Sequence, residues 1–181
     1  MLIRFVAAVL LAATAQAEPA ESPVEAPAAR ELSSAQYGLH VDPPDADWTF
    51  DTPAGAPGVL GAFVHRRGDE VLAIITVSAD AHPQPADPAG YAKRTFTALA
   101  TPPMSFVLGK KGALKDGGRA GFEMRFGPKD GTKKYVQRYF ATEGGILVFG
   151  LQASQKSFDA ELPAFEKLVE TARFKPPAGS H

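Results

Sequence analysis

Three short connections constrain this chain more than any other feature: Asp116-Gly117-Gly118, Pro128-Lys129-Asp130-Gly131 and Gly144-Gly145 each separate two runs of strand-forming residues. Glycine and aspartate permit the positive φ of tight hairpin turns, and such short links cannot make the crossover that parallel strands need. The runs they join are Met104 to Gly109, Arg119 to Phe126, Lys133 to Thr142 and Ile146 to Ala153. The sheet is therefore expected to be mainly antiparallel. Arg119 to Phe126 alternates cleanly, with Ala120, Phe122, Met124 and Phe126 on one side and Arg119, Gly121, Glu123 and Arg125 on the other. Ile146 to Leu151 does not alternate, the pattern of a central strand covered on both sides.

The first half of the chain follows the same logic. Trp48 to Phe50 opens the sheet, and Val59 to His65 with Glu70 to Ser78 forms a hairpin around Arg67-Gly68-Asp69. Asp87 caps a helix whose first residue is Pro88, a position where the missing amide costs nothing. Ala92, Thr95, Phe96 and Leu99 form its buried face, Lys93, Arg94 and Thr97 point away, and Thr101-Pro102-Pro103 ends it. A second helix is expected from Ala160 to Thr171, capped by Asp159, with Pro163 still in the first turn. Its apolar stripe of Leu162, Phe165, Leu168, Val169 and Ala172 reads as core packed on the sheet. These elements define an α+β chain with a sheet of about six strands.

The N-terminus sets the compartment. Arg4, the apolar run Phe5 to Ala13 and the small-residue site Ala15-Gln16-Ala17 have the layout of an export signal cleaved after Ala17. The apolar run is about half of the roughly 20 residues a spanning helix requires. A periplasmic or secreted chain without a transmembrane segment is expected. Residues 18–36, rich in Ala, Pro and Glu, read as a mobile linker, residues 37–174 as one globular domain and residues 175–181 as a loose tail. The chain has no cysteine, which removes disulfides, thiolate ligands and a lipid anchor together. Hydrophobic burial must hold the domain.

Toward the C-terminus the pattern becomes specific. Gln137-Arg138-Tyr139-Phe140, a Gly-Gly turn, the apolar strand Ile146 to Leu151, then Phe158, Leu162-Pro163-Ala164-Phe165, Leu168-Val169 and Arg173-Phe174 follow one another. With the opening Tyr37-Gly38-Leu39 through Trp48-Thr49-Phe50, this order resembles PsbP-like domains over residues 37–174. That group includes the extrinsic photosystem II protein, the DcrB-type bacterial envelope proteins and the Ran-binding Mog proteins. Members often close the helix with Ser-Phe, where this chain has Ala172-Arg173-Phe174. The resemblance implies an α/β/α sandwich with helices on both faces of the sheet, and action by binding other proteins rather than by catalysis.

The charge pattern gives that implication a surface. The whole chain is nearly neutral, with 19 Lys and Arg against 20 Asp and Glu, yet Lys110, Lys111, Lys115, Arg119, Arg125, Lys129, Lys133, Lys134 and Arg138 cluster in the hairpin region. Glu18, Glu21, Glu25, Glu31, Asp42, Asp45, Asp47 and Asp51 balance them near the N-terminus. A basic hairpin region can dock an acidic envelope protein or an anionic membrane surface, or its lysines can simply solvate turns and blunt a sheet edge. Nucleic acid does not fit a slightly acidic exported chain. A monomer is expected.

Catalytic signatures are missing from the sequence. It contains no Gly-x-Ser-x-Gly elbow, no Ser-x-x-Lys pair and no phosphate-binding glycine pattern. No cofactor is expected. The alternative reading is a metal site: His40 and Asp42 lie two residues apart, as do Asp80 and His82, and the two pairs would make a two-histidine, two-carboxylate cluster if the fold brought them together.

Overall fold

In the computed structural model, which describes residues 31–52, 56–81, 86–116 and 119–176, two antiparallel meanders meet at the middle of one sheet. The first consists of β3 (Trp48–Asp51), β4 (Val59–Arg67) and β5 (Glu70–Asp80). The second runs through β6 (Phe106–Asp116), β7 (Arg119–Pro128), β8 (Lys133–Thr142) and β9 (Gly145–Ser154). The order β3-β4-β5-β9-β8-β7-β6 makes seven strands, not about six, with β3 on the edge paired to β4 from Trp48↔His65 to Asp51↔Ala62. Every pairing is antiparallel. A separate two-stranded ladder joins β1 (Leu32–Ser34) to β2 (Leu39–Val41).

Two helices complete the domain, α1 (Pro88–Ala100) and α2 (Phe158–Thr171). Successive residues of the central strand enter different apolar clusters. Leu147, Phe149 and Leu151 join Phe165, Leu168 and Val169 of α2, together with Phe63, Ile75 and Phe140. Ile146 and Val148 join Tyr91, Ala92 and Leu99 of α1, together with Met124, Phe126 and Tyr139. Burial on both sides of β9 accounts for its unbroken apolar run.

Several boundaries differ from the sequence expectation. The ordered chain reaches back past Tyr37 to Leu32, only 4% exposed, so residues 32–36 are a strand and a 3-10 turn rather than linker. At the other end, Lys175 N donates to Tyr37 O, tying the first tail residue to the domain. Residues 1–30, with the export signal, lie outside the described residues. Helix α2 begins at Phe158 with Ser157 at its N-cap, two residues before the expected start. Burying Phe158 draws those residues into the helix, and Pro163 consequently stands inside it rather than in its first turn. Strand β6 continues past Gly109 to Asp116 because β7 pairs with it as far as Asp116↔Arg119. A bulge between Leu108 and Lys110 marks the register shift.

Two charged contacts fix α2 against the sheet. His65 Nδ1 of β4 lies 2.9 and 3.0 Å from the two carboxylate oxygens of Glu161, with the Trp48 ring 5.3 Å from the imidazole. Arg119 closes the other end: its Nη1 and Nη2 donate to the carbonyls of Ala172 and Val169 at 2.7 and 2.9 Å. Those carbonyls belong to the last turn, where a helix has no partners of its own.

Candidate functional site

Antiparallel partners directly opposite one another project to the same side of a sheet, so the strand register sorts the basic residues. Lys110 is opposite Arg125, which is in turn opposite Val136 of the α2 cluster. Lys111 is opposite Met124 of the α1 cluster. The lysines therefore wrap around the β6 edge instead of sharing one face. Lys110, Lys111, Lys115 and Lys129 are exposed and Lys133 is half-buried; none of them has a carboxylate partner among the described residues. Lys134 approaches Asp159 Oδ2 at 3.6 Å and lies over the Phe158 ring.

The arginines have internal roles. Arg138 is 8% exposed; its Nε donates to Glu123 Oε2 at 2.9 Å and its Nη2 to Glu166 Oε1 at 3.4 Å. Arg125 Nε donates to the other Glu123 oxygen at 2.8 Å. Burial alone would raise the Glu123 carboxyl, but the hydrogen bonds and charges of Arg125 and Arg138 outweigh it and hold the group below its ordinary value. Arg119 is occupied at the end of α2, over the Phe174 and Phe140 rings. Of the nine basic residues of the hairpin region, these three are engaged within the domain.

Beside the lysine-bearing edge lies a groove. A cavity of about 410 Å³ opens between the Val107 end of β6, the neighbouring stretches of β7 and β8, and the first turn of α2. Lys110, Arg125, Lys133 and Lys134 line it together with Val107 and Phe158. Asp159 is the one carboxylate among its lining residues. Tyr135 also contributes, and burial followed by the nearby Asp130 charge pushes its hydroxyl up to about 12. Charge counting found the cations but gave no sign of the hollow, which depends on the start of α2.

The metal reading is rearranged. His40 and Asp42 do meet, His40 Nε2 lying 3.4 Å from Asp42 Oδ1, but their third neighbour is Glu31 at 3.9 Å. The potential ligand atoms of these three residues lie within 4.8 Å of one another. Asp80 is outside this group, at the end of β5 opposite Ile146, where its charge and hydrogen bond, after burial, raise the Tyr91 hydroxyl. His82 lies outside the described residues.

No family model and no curated protein matches the sequence. Solved structures do. The chain is similar to the cyanobacterial PsbP (CyanoP) of Synechocystis sp. PCC 6803, with a TM-score of 0.62 at 13% identity, over 86% of this chain and 98% of that one. A protein of unknown function from Pseudomonas aeruginosa, PA94, described as a putative regulator, aligns with a TM-score of 0.51 and 17% identity, covering 81% and 96% of the two chains. LpqN of Mycobacterium tuberculosis, involved in cell envelope biogenesis, gives 0.50 at 18% identity over 77% and 86%. The resemblance to PsbP-like domains thus holds at the level of the fold.

Proposed function

We propose that the chain is an exported, non-catalytic binding or assembly module of the bacterial envelope, an α/β/α sandwich that docks an acidic partner protein along its β6 edge. Cleavage after Ala17 would release it into the periplasm or medium. The separate clusters holding α1 and α2 support the sandwich, and no helix among the described residues is long and apolar enough to cross a membrane. The observation that carries the docking reading is the set of lysines without carboxylate partners among the described residues: Lys110, Lys111 and Lys115 on both sides of the edge strand β6, and Lys129 and Lys133 at the turn between β7 and β8. Lysines on an edge also discourage strand pairing between copies, in keeping with a monomer.

Affinity capture from envelope extract tests this reading. Contacts to exposed lysines are screened within about 8 Å at physiological salt, so capture is expected at low salt and lost at high salt. Joint charge reversal by Lys111→Glu, Lys115→Glu and Lys129→Glu is expected to weaken capture at least tenfold without moving the thermal midpoint. Capture indifferent to both changes refutes docking through this edge.

A second reading rests on the Glu31, His40 and Asp42 cluster, whose nitrogen and oxygen donors suit a divalent metal. Calorimetric zinc titration decides it. A one-site isotherm abolished by His40→Ala supports the site, and no heat with protein at about 0.1 mM removes it.

A further inference from the structure

The groove beside α2 holds more than charge. Val107 is 50% exposed, an unusual setting for a strand valine whose neighbours Phe106 and Leu108 pack into the α1 cluster. Val107 is opposite Gly127. A β-carbon at Gly127 would lie 2.7 Å from the Lys133 carbonyl oxygen, so this point of the lining must remain without a side chain. Phe158 also borders the groove but is only 3% exposed, with Lys134 Nζ 5.5 Å from its ring centre.

The polar lining is strongly one-sided. Lys110 and Lys133 have no carboxylate partner among the described residues, and Arg125 spends only its Nε on Glu123. Lys134 is matched by Asp159 at 3.6 Å. A protein surface docking on the outer lysines needs no such hollow, whereas a volume of about 410 Å³ falls in the range of small-ligand pockets. We infer that this groove is a ligand site for an amphiphilic organic anion: a carboxylate or phosphate head held by Lys110 and the free end of Arg125, and a short apolar body lying against Val107. The site is independent of the protein-docking reading, since salt-sensitive capture through Lys111, Lys115 and Lys129 can stand or fall without it.

Titrating the full mature chain with octyl phosphate and with octanoate, followed by amide NMR shifts, tests the site. Saturable one-site binding is expected, with shifts centred on Val107, Gly127 and Lys134. Octanol and inorganic phosphate, each carrying half of the required chemistry, are expected to bind at least tenfold more weakly. Lys110→Glu and Val107→Asp, both at exposed positions, are expected to reduce octyl phosphate affinity at least tenfold while the thermal midpoint holds. Equal binding of octanol would reduce the site to a greasy patch, equal binding of phosphate to a charge cluster, and no saturable shift at all to an empty hollow; each overturns the inference. Once binding is seen, sedimentation with phosphatidylglycerol vesicles separates the sources: vesicle binding lost in Val107→Asp assigns a membrane lipid, and free-amphiphile binding without it assigns a soluble anion.

Discussion

Arg138→Ala is expected to destabilise the domain by about 3 kcal/mol, the lower end of the cost of orphaning one member of a buried ion pair. Arg138 and Glu123 are 8% and 9% exposed, and removing the guanidinium leaves the carboxylate desolvated with Arg125 as its remaining partner. The Phe165 ring, over which the guanidinium lies at 5.4 Å, also loses packing. Urea unfolding at pH 7 reads the loss as a lower midpoint with an unchanged slope. Because the folded Glu123 carboxyl is held below 4.5, its pairing stabilises the fold fully above that value and is lost as pH falls through the folded value. The gap between wild type and Arg138→Ala should therefore narrow at pH 3. The double variant Arg138→Met with Glu123→Leu, which replaces the pair with apolar groups, is expected to recover most of the stability. A double variant as unstable as the single one would show that the pair does more than satisfy its own burial.

Gly145→Ala carries the second large effect. Gly145 begins the central strand at φ +141, a conformation side chains rarely adopt, and an added β-carbon would lie 2.1 Å from the Asp80 carbonyl oxygen. Neither β9 nor β5 can retreat, since their pairing runs without a break from Ala73↔Ala153 to Asp80↔Ile146. Backbone strain and overpacking together should cost about 3 kcal/mol, or roughly 10 °C in thermal midpoint for a domain of this size. Gly112→Ala provides the contrast. Its β-carbon meets nothing within 4 Å, and the change should stay within about 0.5 kcal/mol. Equal losses at the two positions would mean that the cost follows strand glycines in general and not the close approach to Asp80.

The hairpins were legible in the sequence because their causes are local. A turn such as Pro128 to Gly131 needs only its own residues, and the alternation of Arg119 to Phe126 follows from the pleat. What was hidden depends on distant partners. Asp159 and Pro163 mark a plausible helix start, yet burying Phe158 against the sheet moves it two residues earlier. The Gly-Lys-Lys-Gly stretch of β6 carries no apolar signal and is a strand only because β7 pairs with it. Charge counting could not separate Lys110, which faces solvent, from Arg138, which faces Glu123, because the sorting comes from the register Glu123↔Arg138. The His65–Glu161 contact links β4 to α2 and left no local trace either. Alternation did place Glu123 and Arg125 on one side, so half of the buried ion cluster was readable in advance.

The position of β9 at the middle of the sheet also bears on when the protein can become a protein. A chain emerging N-terminus first, from a ribosome or through a membrane pore, has β3 to β5 and β6 to β8 complete by Thr142, but nothing yet to join them. Each would present an unpaired inner border and an uncovered greasy surface until Gly145–Ser154 slots in and Phe158–Thr171 folds over it. Truncation just short of that point should leave two sticky half-sheets rather than a smaller stable domain, and a nascent chain of this design stays threadable almost to its last residues.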